Sequence, residues 1–376
     1  MNSEIRNKLF DLIRAGLGQS GINLQLSDED YSVLLEVGTR QGINPILHRG
    51  LLKTAGSSAA IEAFDRARLK DIGQMVHISD AIEKISAALN EADIPYIPLK
   101  GAVLRNLYPE KSLRTSCDID FLVKEKDLAK AVESIEAKTK FKSRKRNYHD
   151  ISMVAPSVHL ELHFNIKENM ENIDTLLGRV WEYAVPDEKS RYKLTPEFQI
   201  FHVIAHMSYH IVHGGLGIRP FLDLWLLRTK TEFDEETVRQ MCFSCNILTF
   251  YEKCCELADA WMTGKPVRND LVMLEEYSLK GGVFGSTEGV LASKQREHRS
   301  LSYIFHRVFL SKKLMETQYP ELKKKPYLLP VCHVHRWMRL LDPKRRRRIK
   351  YETKLAMTLN PESIDAYDAL LASLGL

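Results

Sequence analysis

Residues 94–123 read IPYIPLKGAVLRNLYPEKSLRTSCDIDFLV and carry the most informative pattern in the chain. A short apolar strand ends at Leu99, a helix is predicted to continue to Arg114, and a second strand begins at Asp118. Because strand side chains alternate between faces, Asp118 and Asp120 project from the same side, roughly 6–7 Å apart. Carboxylates placed in this way can share divalent metal ions, and Mg²⁺ prefers such oxygen ligands. A bare Asp-x-Asp is also typical of turns and loop caps, so the interpretation depends on its surroundings.

The chain offers a third carboxylate further along. Residues 159–163, HLELH, alternate polar and apolar side chains, which predicts a strand with His159, Glu161 and His163 on one face. Glu161 is therefore a candidate third metal ligand and catalytic residue. A salt-bridged strand residue would show the same pattern, so both interpretations of Glu161 stay open at this point.

The order and spacing of these features resemble the uncharacterised nucleotidyltransferase family of the polymerase-β-like superfamily. In that family a Leu-Lys-Gly turn follows the first strand, a Tyr-Pro and an Arg come next, and Asp-x-Asp begins the second strand. This chain carries the parts in that order, as Leu99-Lys100-Gly101, Tyr108-Pro109, Arg114 and Asp118-Ile119-Asp120. The resemblance implies an α+β fold, in which a polymerase-β-like core with a small mixed sheet is flanked by N-terminal and C-terminal helical regions.

The resemblance also implies an activity. Such an enzyme transfers a nucleoside monophosphate from an NTP, for example ATP, to a hydroxyl-bearing acceptor, which is a small molecule, a sugar, a protein or RNA. Asp118 and Asp120 would hold two Mg²⁺ ions, with Glu161 as the third ligand and possible base. Two alternatives remain open: a non-catalytic relative that binds a nucleotide or a protein partner, and a zinc-binding protein.

Three residues near the first two strands are predicted to contact the nucleotide. Lys100 would add a cationic contact to the triphosphate, although a solvated lysine at a strand end is an equal alternative. Gly101 allows a close approach of the backbone to a ligand. Arg114 would contact phosphate or brace the aspartates as an ion pair. One departure is Gly101-Ala102, which replaces the Gly-Ser pair of many superfamily members and puts nucleotide affinity in doubt.

A histidine-rich helix is the strongest rival signal. His202, His206 and His210 follow one another at four-residue spacing, and two such histidines can bind zinc from one helix face. The Glu of a His-Glu-x-x-His protease motif is missing. The resemblance covers this region too, because the family commonly shows a His-rich helix followed by an Arg-x-x-x-Asp-Leu helix, here Arg219, Asp223 and Leu224. We therefore interpret the histidines as facing the active-site cleft or packing in a domain interface.

Length and pattern divide the 376 residues into three predicted parts: an N-terminal helical region (1–93), the nucleotidyltransferase core (94–186) and a C-terminal helical region (187–376). Apolar residues recur at helical spacing over 58–92 and again over 195–263. Residues 127–137 are predicted to form a helix, and residues 141–154 one or two strands. Gly214-Gly215-Leu216-Gly217 predicts a turn that ends a helix.

Composition excludes several classes of protein. Hydrophobic residues make up 44% of the chain, but no apolar run approaches the roughly 20 residues that span a bilayer, so we expect a cytoplasmic protein without a membrane partner. The net charge of +5 permits a nucleic-acid partner without requiring one. Two basic runs, 138–146 and 344–348, are interpreted as solvated surface. The six cysteines are expected to be reduced, and Cys242 and Cys245 are predicted to pack within a helix rather than to bind metal.

Overall fold

The computed structural model describes residues 1–22, 24–54, 58–282, 310, 312, 315, 319–323, 325–338 and 361–376. The basic run 344–348 lies outside the described residues. The first 93 residues form the predicted helices, and these are α1 (Ser3–Gly16), α2 (Asp28–Gln41), α3 (Asn44–Lys53) and α4 (Ser58–Glu91). A capping box in which Ser27 and Asp30 bond to each other's backbone starts α2. Gly42, with φ +65°, ends that helix in the left-handed conformation that glycine adopts without strain.

A seven-stranded mixed sheet follows, which confirms the predicted α+β class. Its strands are β1 (Tyr96–Leu99), β2 (Asp118–Val123), β3 (Lys142–Arg146), β4 (Asp150–Ala155), β5 (Val158–His163), β6 (Ala184–Glu188) and β7 (Arg191–Leu194). Their order across the sheet is β3-β4-β5-β2-β1-β7-β6. β2 is central and runs antiparallel to β1 and parallel to β5. The parallel pairing sets Asp120 directly opposite Glu161.

The segment between β1 and β2 differs from the prediction. The expected helix to Arg114 is wrong, because α5 covers only Gly101–Leu104 and is followed by two 3-10 turns, Arg105–Leu107 and Lys111–Leu113. Tyr108 is extended, with φ −78° and ψ 152°. Since Pro109 disfavours the helical conformation of the residue before it, a helix cannot continue through this point. The segment instead loops back to deliver Asp118 to the start of β2.

The remaining helices lie after β2 in the chain. They are α6 (Leu128–Lys138), α7 (Glu171–Leu177), α8 (Pro196–Val212), α9 (Arg219–Lys230), α10 (Glu235–Ser244), α11 (Leu248–Thr263), α12 (Val272–Lys280), α13 (Leu329–Met338) and α14 (Pro361–Leu374). Pro196 occupies the first turn of α8 as predicted, and Thr195 caps it. Among the described residues, none of the helices has the length and apolarity to cross a bilayer.

Two hydrophobic cores lie on opposite faces of the sheet. Phe121 and Leu160 belong to the core that includes residues of α4 and α6. Leu122 belongs to the larger core, which combines residues of α1–α3 with those of α8–α11. Because side chains alternate, Asp118 and Asp120 share the face of Leu122 and therefore point toward α8 rather than toward α4. The fold thus directs the acidic residues into the space between the sheet and the later helices.

The three-part division of the chain stays a prediction. β6 spans residue 186, and β7 continues the sheet to Leu194. The N-terminal and C-terminal helices also meet directly, since the ring of Phe10 stacks on that of Trp261 with centroids 4.5 Å apart.

Two minor features fit their sequence interpretations. Cys242 and Cys245 are both buried at the C-terminal end of α10, where Cys242 packs in the larger core. The basic residues of β3 are all exposed on the edge strand of the sheet, and lysine and arginine at such a position discourage pairing with another chain.

Candidate active site

A cavity of about 350 Å³ opens between the sheet and helices α8 and α9. This volume is within the range typical of ligand pockets. All six residues predicted for the site line it, namely Lys100, Gly101, Arg114, Asp118, Asp120 and Glu161. The lining also includes Glu168 and five histidines, which are His149 in the turn before β4, His163 at the end of β5, and His202, His206 and His210 of α8.

The acidic residues come from two adjacent parallel strands. Asp120 on β2 is paired in register with Glu161 on β5, and the Nε2 atom of His163 lies 2.9 Å from Asp120 Oδ1 and 3.6 Å from Glu161 Oε2. One ligand atom from each of these three residues lies within 4.8 Å of the others, a grouping that could hold a metal ion. Asp118 lies beside this group, half-buried, and its Oδ1 accepts a hydrogen bond of 3.3 Å from Ser116.

Charge is unevenly distributed between the paired carboxylates. Asp120 is 4% exposed, and burial alone would raise its pKa. The charge of Lys100 and the hydrogen bond from His163 outweigh this effect, so that the pKa of Asp120 lies well below its ordinary value. Burial, followed by repulsion from Asp120, raises the pKa of Glu161 above its ordinary value. The two neighbouring carboxylates thus have pKa values shifted in opposite directions, and a bound cation would stabilise the ionised form of both.

Lys100 supplies the local positive charge. Burial disfavours its ammonium group, but Asp120, Glu168, Asp118 and Glu161 together raise its pKa, so the side chain stays charged. Its Nζ lies 3.5 Å from Asp120 Oδ1. The backbone of Lys100 has φ +41°, a conformation that costs a non-glycine residue about 1–3 kcal/mol. This strained turn between β1 and α5 places the lysine in the cavity lining.

Arg114 forms its ion pair with a residue far away in the sequence. Its Nε and Nη2 atoms donate to Asp223 on α9 at 3.0 and 2.8 Å, and the hydroxyl of Tyr108 donates to the same carboxylate at 2.8 Å. All three side chains are buried. The remaining Nη1 atom lies against Gly101, where an added Cβ would be only 2.6 Å away. Gly101 is therefore needed for the close packing of its backbone on Arg114.

The histidines of α8 face the cavity, as one of the two sequence interpretations predicted. His206 Nδ1 lies 2.7 Å from Glu168 Oε1, and its Nε2 lies 2.9 Å from His210 Nε2. His202 is almost fully buried, and its Nδ1 has no hydrogen-bond partner among the described residues. Among the residues that the structure describes, the group suited to a metal consists of Asp120, Glu161 and His163 and contains none of the α8 histidines.

Two residues of the site were not predicted as site residues. His163 ends the HLELH strand on the predicted face, but no motif or periodicity predicts the hydrogen bond between its ring and Asp120. Glu168 lies in the loop after β5, 38 residues from its partner His206. No motif or periodicity marks it, so only the fold could bring it into the site.

Comparison with known proteins agrees with this geometry. No curated protein and no solved structure matches the chain at a significant level. The model of one protein family, described as uncharacterised nucleotidyltransferase, matches residues 27–263. This range is more than half of the chain and contains the sheet, the cavity lining and the histidine helix, and it supports a general nucleotidyltransferase function. The chain therefore belongs to the uncharacterised nucleotidyltransferase family.

Proposed function

We propose that the protein transfers a nucleoside monophosphate from an NTP to a hydroxyl-bearing acceptor in a Mg²⁺-dependent reaction. The pairing of Asp120 with Glu161 beside Asp118, in a cavity that also contains Lys100, carries the proposal. The acceptor belongs to one of the classes named above: a small molecule, a sugar, a protein or RNA.

The donor set fits Mg²⁺. Asp118, Asp120 and Glu161 offer carboxylate oxygens, which hard divalent cations prefer. Burial, followed by the charge of Asp120, raises the pKa of Glu161, and a bound cation would offset the repulsion between the two carboxylates. His163, through its 2.9 Å hydrogen bond, would orient Asp120 as a ligand. When bound, Mg²⁺ would lower the pKa of the acceptor hydroxyl and offset the negative charge that develops on the α-phosphate.

Lys100 and Arg114 would have different roles in binding the nucleotide. The contact between Lys100 Nζ and Asp120 Oδ1 is long, at 3.5 Å, so the ammonium group would exchange it readily for a phosphate oxygen of the triphosphate. Arg114 has two of its N–H groups committed to Asp223 and offers mainly Nη1, beside Gly101. We therefore assign the direct phosphate contact first to Lys100, and to Arg114 the support of the Gly101 turn.

The transfer balances without a further reactant. The acceptor oxygen forms a bond to the α-phosphorus while the bond from that phosphorus to the bridging oxygen breaks. Pyrophosphate leaves with the bonding electron pair, and the proton of the hydroxyl passes to a base. Positioning and charge compensation supply most of the catalysis in such reactions.

Calorimetric titration of each NTP, with and without Mg²⁺, tests the site. We expect binding that requires Mg²⁺ and that disappears in Asp118→Asn plus Asp120→Asn. A matched control changes the same number of charges on the exposed side of α4, as Asp80→Asn plus Glu83→Gln. Unchanged binding in the site variant, or no binding of any NTP to the parent protein under any metal condition, would contradict the proposal.

A further inference from the structure

Glu168, His206 and His210 form a hydrogen-bonded chain in the lining of the cavity. Glu168 Oε1 lies 2.7 Å from His206 Nδ1, and the Nε2 atoms of the two histidines lie 2.9 Å apart. The side chain of Glu168 is 11% exposed and that of His206 28% exposed. The two histidines are one turn apart on α8, with ring planes at 88°. The carboxylate thus contacts Nδ1 of His206, His210 contacts its Nε2, and all three residues line the cavity.

The contacts select one arrangement of protons. An ionised Glu168 accepts only, so the Nδ1 atom of His206 must carry the hydrogen of their bond. In a neutral His206 the Nε2 atom then holds a lone pair, and His210 must donate its Nε2–H to it. The charged and titratable groups that influence His206 are Lys100, His202, His210, Asp120 and Glu168. Burial, followed by the charge of Lys100, lowers the pKa of His206 and keeps its ring neutral near pH 7.

A carboxylate on Nδ1 and a lone pair on Nε2 that accepts a hydrogen bond are the features of a histidine that can take a proton from a hydroxyl group. We propose that His206 is the catalytic base that takes the proton of the acceptor hydroxyl, and that Glu168 is its positioning residue. This inference rests on the proposed nucleotidyl transfer. In the absence of acceptor, His210 donates to Nε2 at the place where the hydroxyl would donate. The acceptor displaces His210 from this contact.

The proton transfer completes the balance of the reaction. The hydroxyl hydrogen moves to His206 Nε2 as the oxygen bonds to the α-phosphorus and pyrophosphate leaves. The positive charge formed on the ring is stabilised by Glu168 at 2.7 Å. The ring then releases its proton to water. Asp118, Asp120 and Glu161 remain free to bind metal, because the proton acceptor comes from α8 rather than from the sheet.

The test uses water as the surrogate acceptor and follows the release of pyrophosphate from ATP with Mg²⁺. We compare the parent with His206→Ala, Glu168→Gln and Glu168→Asp, and we measure ATP affinity for each variant. We expect His206→Ala to lower the rate about 100-fold or more without weakening ATP binding. Added imidazole restores part of the rate to His206→Ala, but none to Asp120→Asn. Glu168→Asp retains more activity than Glu168→Gln.

The matched control is His213→Gln, a histidine that is exposed at the C-terminal end of α8 and is not among the residues lining the cavity. We expect its rate to equal that of the parent. A parental rate in His206→Ala would overturn the inference and leave the proposed function standing. Three other results for His206→Ala would also overturn the inference: a rate that imidazole does not restore, a loss of ATP binding, or the loss of stoichiometric zinc that the parent protein contains. Absence of pyrophosphate release from the parent, both with water and with the acceptors of a cell extract, would overturn the proposed function itself, and the inference with it.

Discussion

The ion pair between Arg114 and Asp223 joins the loop before β2 to α9, and we expect its loss to lower the free energy of unfolding. We consider Asp223→Asn, which keeps the shape of the side chain and removes its charge. In the parent, Asp223 accepts three hydrogen bonds of 2.8 to 3.0 Å from Arg114 and Tyr108. The substituted amide keeps one oxygen, but its NH₂ group faces the N–H groups of Arg114.

The expected cost follows from the burial of the pair. Arg114 and Asp223 are 7% and 4% exposed, so the guanidinium would stay buried without a countercharge. Removing one partner of such a pair costs about 3–5 kcal/mol. Because one oxygen still accepts from Tyr108 or Arg114, we expect the lower end, about 3 kcal/mol.

Urea unfolding, followed by circular dichroism, measures this free energy. The control is Glu182→Gln, which breaks an ion pair with Arg179 in which both side chains are more than half exposed. Its effect should be much smaller, since exposed ion pairs are screened by water. A second variant replaces both partners, Arg114→Met with Asp223→Leu, and should lose less stability than Asp223→Asn because no charge is left buried. The reasoning is refuted if Asp223→Asn loses less than about 1 kcal/mol.

Three further predictions concern the same region. Gly101→Ala would place a Cβ 2.6 Å from Arg114 Nη1 and 3.0 Å from Ser116 Oγ, so we expect a loss of about 1–3 kcal/mol in urea unfolding; an unchanged free energy would contradict the packing argument. The raised pKa of Glu161 means that protons compete with Mg²⁺ at pH values above the ordinary 4.5, so calorimetry should show affinity for Mg²⁺ falling as the pH is lowered toward 5. Glu161→Gln should flatten this dependence, and an equal slope in both proteins would speak against Glu161 as a ligand. Burial lowers the pKa of His202 to about 4, so its ring is neutral in the folded protein but takes up a proton on unfolding below pH 6.5. Protonation of His202 in the unfolded chain should therefore lower the free energy of unfolding by roughly 3 kcal/mol between pH 6.5 and 4. His202→Leu should remove this contribution. An equal decline in the variant would exclude His202 as its source.

The sequence was informative wherever a local pattern determines the structure. Alternation along a strand is enough to predict that Asp118 and Asp120 share one face of their strand, and that Glu161 shares a face of its own strand with His159 and His163; the structure has both strands. The long helix α4 and the helix α8 were also predicted, because apolar residues recur at helical spacing. The family resemblance added the association between these strands that periodicity alone could not provide.

The remaining features depend on contacts between distant parts of the chain. The register that sets Asp120 opposite Glu161 is a property of the parallel pairing of β2 with β5. The partner of Arg114 lies 109 residues away, so the sequence predicted a contact with phosphate or with the two aspartates of β2 and not the ion pair with Asp223. Glu168 stands in an irregular loop, where no periodic signal exists. The break in the helix predicted to reach Arg114 is different, because Pro109 disfavours the helical conformation of Tyr108 and this effect can be read from the sequence itself.

The most direct measurement of the central claim follows the two ends of the triphosphate separately. ATP labelled at the α-phosphate or at the γ-phosphate is incubated with the protein, Mg²⁺ and a cell extract that supplies acceptors. Nucleotidyl transfer predicts that the α-label enters a product and that the γ-label appears in pyrophosphate, with both events lost in Asp118→Asn plus Asp120→Asn. Transfer of the γ-label to a product only when the protein is added, or protein-dependent transfer of the α-label that persists in this variant, would contradict the account.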